Sequence, residues 1–327
     1  MTVMERISVE ALENVGGMPL LLNVDTGGRR LLEWAAEEAE AIEQVVQQNG
    51  ALLLRGLPVH SSKQFGDVLS LLFGGELLDY AYRSTPRTEL RGKVYTATEY
   101  HADQAIPQHN ENAYANSWAM RIGFLCLLPS EQGGATPIGD SRRVYQLIPA
   151  EIRERFERHG VMYVRNYSDV DLPWQEVFQT EDKDEVERYC AANGIRCEWR
   201  PDNGLRTVQV NPASAVHPVT GEKVWFNQAH LFHVSSLQPE VRSSLVAALG
   251  EDELPRNTFY GDGSPIEEEV LDQIRAVYDR TTLAFPWQQG DLLLLDNMLF
   301  THGRQPYVGE RKVLVGMARP HGHPAAT

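Results

Sequence analysis

Residues Trp287–Val315 read "WQQGDLLLLDNMLFTHGRQPYVGERKVLV", and how this stretch folds decides the architecture of the chain. The unbroken apolar run Leu292–Leu295 is too short for a helix and is bounded by Gly290-Asp291 on one side and Asp296-Asn297 on the other. It reads as a buried strand over 291–296 that ends in polar residues, delivers Asp296 and Asn297 to a turn, and brings in His302 shortly afterwards. A further apolar segment, "KVLVGMA" (312–318), follows as the next strand.

Segments of the same kind recur outward from this stretch: "ALLLRG" (51–56), "KVYTAT" (93–98), "IGFLCLL" (122–128), "VMYVRNY" (161–167), "TVQVN" (207–211) and "KVWFN" (223–227). Many short strands bounded by Gly, Pro, Asn and Asp, without regular alternation with helices, predict a sandwich or jelly roll, a β-rich α+β fold. No glycine fingerprint follows an early strand, so a parallel dinucleotide-binding sheet is not expected. Leu31, Ala35, Ala39, Ile42 and Val46 recur at helical spacing and predict a helix over 30–48, stopped by Asn49-Gly50. Ser61 or Ser62 caps a second helix carrying Phe65, Val68, Leu69 and Leu72. Further helices are expected at 149–159, with Pro149 in the first turn, and at 183–192, 239–249 and 266–280. No repeat or linker-like tract divides the chain, so residues 1–327 are expected to form a single domain with helical insertions around 149–193 and 239–280.

The 327 residues are 42% hydrophobic and 23% charged, enough apolar material for a substantial core. A formal net charge of −15 argues against a nucleic-acid groove or an anionic membrane surface as the main partner. Cys126, Cys190 and Cys197 are odd in number and match no zinc or redox spacing, so they read as free thiols in a reducing compartment. The stretch "MTVMERISVEALENVGG" lacks the basic start and apolar run of a signal peptide, and "GFLCLLP" is too short to span a bilayer. A cytoplasmic location is expected.

The stretch His101–Glu111, "HADQAIPQHNE", contains one chemical idea twice: His101-Ala-Asp103 and His109-Asn110-Glu111. An open iron site needs two neutral imidazoles and one carboxylate on one face of the ion, leaving three positions for small molecules. A histidine and a carboxylate two residues apart in an extended segment point to the same face, and His302 is the distant imidazole. Either copy satisfies that pattern. Arg311, nine residues beyond His302, opens the next strand with a guanidinium that can meet a carboxylate bidentately. Thr136, in "EQGGATPIGD", offers a hydroxyl to the same anion after glycines that permit close backbone approach.

Four blocks, "PQHNENAY", "EQGGATPIGDSRRVY", "VWFNQAHLFH" and "DNMLFTHGRQPYVGERKVLV", resemble the taurine dioxygenase-like, clavaminate synthase-like group of Fe(II)/2-oxoglutarate oxygenases. The resemblance covers roughly residues 30–319 and is strongest to the amino-acid hydroxylases of peptide natural-product pathways. It implies a distorted double-stranded β-helix with flanking helices, iron on His109, Glu111 and His302, 2-oxoglutarate on Thr136 and Arg311, and O2 as oxidant. It also implies hydroxylation of an unactivated C–H of a small amino-acid-like molecule, free or tethered to a carrier protein, with release of succinate and CO2. In the family the threonine follows the first metal histidine at the interval separating Thr136 from His109, 27 residues, which selects the second copy of the motif. Glu111 stands where many members have aspartate, and its retention separates hydroxylases from related halogenases, which lose the carboxylate.

Arg311 lies closer to the last histidine than in many members, so Arg304 and Arg319 are the alternative partners of 2-oxoglutarate. Arg87, in "RSTPRT", and Asn112 are candidate substrate contacts. Desaturation and cyclisation are the alternative outcomes within the same class. From other classes come a non-catalytic jelly-roll binding protein and a zinc hydrolase, the latter disfavoured because no H-E-x-x-H is present. His101 and Asp103 are then expected as cavity neighbours of the metal, His230 and His233 as packing or hydrogen-bonding residues, Trp225 and Phe226 as core, and His321 and His323 as exposed. The sequence leaves the oligomeric state open.

Overall fold

The computed structural model describes residues 10–11, 20–79, 82, 84, 87–97, 100–168 and 170–322. Most of "MTVMERISVEALENVGG", parts of "RSTPRT", Thr98 and His323 lie outside these residues.

The strand Leu292–Asp296 occupies the middle of a seven-stranded sheet, antiparallel to Ala51–Arg55 on one side and to Ser117–Leu128 on the other. Lys312–Gly322 and Val94–Thr96 extend the sheet beyond Ser117–Leu128, and Leu20–Asn23 and Glu10–Ala11 extend it beyond Ala51–Arg55. Side chains alternate across a strand, and both faces here are covered. Leu52, Leu54, Leu125, Leu292, Leu294 and Leu314 pack against the helices Leu31–Asn49 and Ser62–Leu72 through Trp34, Val45, Phe65 and Leu69. Leu53, Ile122, Phe124, Leu293, Leu295 and Val315 face the other way and meet Ile138 and Phe300. The four consecutive leucines are therefore all fully buried. Each is worth about 1.5–3 kcal/mol over an exposed counterpart.

Phe300 and Ile138 belong to a three-stranded sheet in which Phe300–Arg304 lies between Ile106–His109 and Ile138–Asp140. The chain thus crosses from the centre of the large sheet to the centre of the small one within the turn at Asp296–Leu299. A separate core forms where the antiparallel sheet Arg196–Trp199, Leu205–Asn211, Val161–Tyr167 and Arg256–Tyr260 packs with the helices Ala150–His159, Lys183–Ala192 and Glu268–Thr281. Trp225 is buried in this second core and Phe226 in the one between the two sheets. None of the described helices is long and apolar enough to cross a membrane.

Most predicted elements are present with shifted ends. Strand 122–128 begins at Ser117, because Arg121 is fully buried in an ion-pair network and does not mark a strand end. Strand 312–318 continues to Gly322, helix 266–280 is Glu268–Thr281, and Pro149 caps Ala150–His159 from one position before its first turn. The three strands of the small sheet carry no strand signal in the sequence, since "IPQH", "IGD" and "FTHGR" are short and rich in Pro, Gly and polar residues.

Gly50 ends the first helix in the left-handed region, φ 88°, and donates to the Val46 carbonyl at 2.7 Å. A Cβ there would stand 2.6 Å from the Phe300 ring. Gly50→Ala is expected to cost about 2–4 kcal/mol from backbone strain and overpacking. Urea denaturation measures this, and a midpoint equal to wild type would refute the close approach.

Candidate active site

The small sheet brings the two histidines together. His302 and His109 are register partners across Phe300–Arg304 and Ile106–His109, with ring centroids 4.6 Å apart. Glu111 follows His109 not in an extended strand, as the two-residue spacing predicted, but in a turn where Asn112 takes φ 55°. The carboxylate nevertheless converges: one ligand atom from each of His109, Glu111 and His302 lies within 4.8 Å of the others. His302 Nε2 stands 3.5 Å from Glu111 Oε2.

Protonation states suit a metal. The His109 Nδ1 donates to the Pro107 carbonyl at 2.8 Å, which leaves the Nε2 lone pair free to ligate. Desolvation, reinforced by the neighbouring His302, pushes His109 down to about 4, so the ring is neutral at neutral pH. Burial works against ionisation of Glu111, but the Arg87 guanidinium, 2.7 Å away, and the two imidazoles hold its carboxyl well below the usual carboxylate range. Among the described residues, neither ring nitrogen of the buried His302 has a partner at good hydrogen-bond geometry. Buried polar atoms are normally satisfied, so this pair of orphans, beside one carboxylate and one prepared imidazole, fits a divalent iron ion.

A cavity opens beside the three candidate ligands. His109, His302 and Arg87 line it, with Thr136 and Arg311, and with Phe124, Ile106 and Val313 as its apolar wall. Arg311 donates from Nε to the Gly134 carbonyl at 2.9 Å and from Nη2 to Thr136 Oγ1 at 3.4 Å. Trp287 Nε1 donates to the same hydroxyl oxygen at 3.1 Å, leaving the Thr136 proton available to an anion. Burial, with Arg304 nearby, pushes Arg311 down to about 10, which leaves it cationic at neutral pH. Gly134 has φ 70°, and a Cβ there would stand 3.1 Å from Arg311 Cδ.

The other candidates are engaged differently or lie outside the cavity. Arg304 lines the cavity, but its guanidinium donates to the carbonyls of Tyr100, His101 and Gln104. Arg319 bonds Phe73 O and Glu43 and does not line the cavity. His101 and Asp103 are exposed and outside the ligand cluster, and His101 contributes only its carbonyl to Arg304. Asn112 is half-buried in its turn and does not line the cavity. His230 donates through Nε2 to the Gln108 carbonyl at 2.9 Å and stacks on Tyr278, and His233 Nδ1 accepts from Ser235 N–H. His321, expected to be exposed, is half-buried edge-on against Trp118. The three cysteines are free thiols. Sequence reasoning missed the Arg87–Glu111 ion pair and the Trp287–Thr136 bond, which join residues 24 and 151 positions apart.

Known proteins are similar to this chain in sequence and in fold. Residues 19–318 match the family described as Taurine catabolism dioxygenase TauD, TfdA family. Over 280 residues, 85% of each chain, the sequence is 45% identical to the dapdiamide synthesis protein DdaC of Enterobacter agglomerans. Over 294 residues, 85% of this chain and 84% of the other, it is 33% identical to a clavaminate synthase-like protein of Arabidopsis thaliana. The fold is similar to that of PvcB from Pseudomonas aeruginosa, an Fe, alpha-ketoglutarate dependent oxygenase from an isonitrile synthetic pathway. That likeness has a TM-score of 0.54 at 16% identity and covers 94% of this chain and 90% of PvcB. A family match spanning nearly the whole chain, joined to a ligand cluster that fits iron, leads to one assignment: the chain belongs to the TauD/TfdA family and is an Fe(II)/2-oxoglutarate-dependent dioxygenase that consumes O2.

Proposed function

We propose that the enzyme hydroxylates an unactivated C–H bond of an amino-acid-like small molecule, free or tethered to a carrier protein, in a natural-product pathway. The observation that carries this reading is one cavity lined by two chemically distinct groups: His109 and His302, which cluster with the Glu111 carboxylate, and the Arg311 and Thr136 pair suited to an anion. Similarity to a dapdiamide synthesis protein supports a biosynthetic setting.

Bound iron together with 2-oxoglutarate supplies the oxidising power, with decarboxylation to succinate and CO2. His109, Glu111 and His302 would hold the metal. Arg311 would meet the distal carboxylate of 2-oxoglutarate, a charge-assisted contact, and the Thr136 hydroxyl would donate to it. Phe124, Ile106 and Val313 exclude water from the cavity wall. Arg87 puts a second cation beside the metal ligands, suited to the carboxylate of an amino-acid substrate. Retention of Glu111 supports hydroxylation over halogenation. In this reading the seven- and three-stranded sheets are the two halves of a distorted double-stranded β-helix, and segments 149–193 and 239–280 are insertions in a single domain.

Mass spectrometry of an amino-acid panel, free and carrier-loaded, incubated with Fe(II), ascorbate and 2-oxoglutarate tests this. A product one oxygen heavier is expected. A product two hydrogens lighter would replace hydroxylation with desaturation or cyclisation, and succinate formed without any changed panel member would overturn the substrate class.

A further inference from the structure

Glu111 occupies an awkward place for a metal ligand. It follows the end of the Ile106–His109 strand and precedes Asn112 in the left-handed region, so no neighbouring strand fixes its backbone. One side chain, 186 residues away, replaces that strand. The Asn297 Oδ1 accepts the Glu111 N–H at 2.7 Å, and Asn297 Nδ2 donates to the Glu111 carbonyl at 2.9 Å. The same Nδ2 donates to the Ala119 carbonyl at 2.9 Å, on the Ser117–Leu128 strand. Asn297 is itself fully buried, and its carbonyl accepts from Asn110 Nδ2.

We propose that Asn297 is a positioning residue that fixes Glu111 for metal binding, and that the Asp296-Asn297 pair sets the spacing between the carboxylate and His302. An amide is suited to this task because it offers an acceptor and a donor side by side, matching the two backbone groups of one residue. Aspartate would set an anionic oxygen against the Glu111 carbonyl, and alanine would leave both backbone groups unpaired in a buried site. Asp296 anchors the bracket. Its Oδ1 accepts from the Met298 and Leu299 N–H groups at 2.9 and 3.1 Å, closing the turn that leads into the strand bearing His302. Its Oδ2 accepts from Arg121 and lies 3.0 Å from His217 Nε2. One dipeptide therefore holds Glu111 through a side-chain amide and His302 through a turn.

Co(II) titration of the full chain, without 2-oxoglutarate or substrate, tests this separately from the substrate proposal. Asn297→Ala and Asn297→Asp are expected to bind Co(II) about 10–100-fold more weakly and to change its visible absorption spectrum. Asn166→Ala is the control, since Asn166 is also buried and donates to two backbone carbonyls, those of Asp252 and Leu254, but does not contact the ligand cluster. It should lower the melting temperature and leave Co(II) affinity and spectrum unchanged. Asn297 variants that melt cooperatively and bind Co(II) with wild-type affinity and spectrum would overturn the proposal. Amide hydrogen exchange on the wild-type protein gives a second reading independent of variant folding: the Glu111 N–H should be strongly protected, and exchange as fast as an exposed turn amide would equally overturn it.

Discussion

Glu111→Ala is expected to weaken metal binding by more than about 100-fold and, in the metal-free protein, to cost about 3–5 kcal/mol of stability. The two effects have different causes. Binding falls because the carboxylate is the one acidic member of the candidate ligand set, and its loss leaves two imidazoles. Stability falls because the Glu111 and Arg87 side chains are each only 3% exposed, so removing the carboxylate takes the anionic charge away from a buried guanidinium. Restoring neutrality should restore part of the fold: Glu111→Ala combined with Arg87→Ala is expected to be more stable than Glu111→Ala alone, still without metal binding. Mn(II) calorimetry and urea denaturation of the metal-free variants separate the two. A single variant as stable as wild type would show that Arg87 does not depend on Glu111.

The second large effect is on the cosubstrate. Arg311→Leu removes the cation from a mostly apolar cavity wall, where truncating one partner of a hydrogen-bonded charge pair costs about 2–5 kcal/mol. The affinity for 2-oxoglutarate should therefore fall on the order of 30-fold to several thousandfold, with the affinity for Mn(II) alone unchanged. Arg311→Lys keeps the charge and loses the planar fork, so an intermediate loss is expected. Unchanged 2-oxoglutarate affinity in Arg311→Leu would transfer the anion site to Arg304.

What could be read from the sequence follows from where each signal is stored. Leu292–Leu295 announced a buried strand because both faces of that strand are covered, so every position had to be apolar. The small sheet gave no such signal. Its central strand carries Thr301, His302, Gly303 and Arg304, residues that serve a cavity and a close backbone approach, and their chemistry hides their conformation. For the same reason the histidines were legible as candidate metal ligands before their strands were legible as strands.

Glu111 was reached by an argument about extended chain that the turn at Asn112 does not obey. The residue type pointed to a carboxylate that the fold does bring beside the two histidines, while its backbone is bonded by Asn297, a partner that local spacing cannot reveal. The residues alone also left His101-Ala-Asp103 open as ligands, and the family interval to Thr136 was needed to choose. Arg87 has no local pattern at all: its partner lies 24 residues on, and only the fold brings the pair together.

The most direct test is an anaerobic titration of the full chain with Fe(II) and 2-oxoglutarate, followed by visible absorption. Joint binding by His109, Glu111, His302, Thr136 and Arg311 predicts a weak visible charge-transfer band that needs both additions, is lost in His109→Ala, and shifts to higher 2-oxoglutarate concentration in Arg311→Leu. A wild-type protein that gives no band with both additions, or a band that survives in His109→Ala, would contradict it.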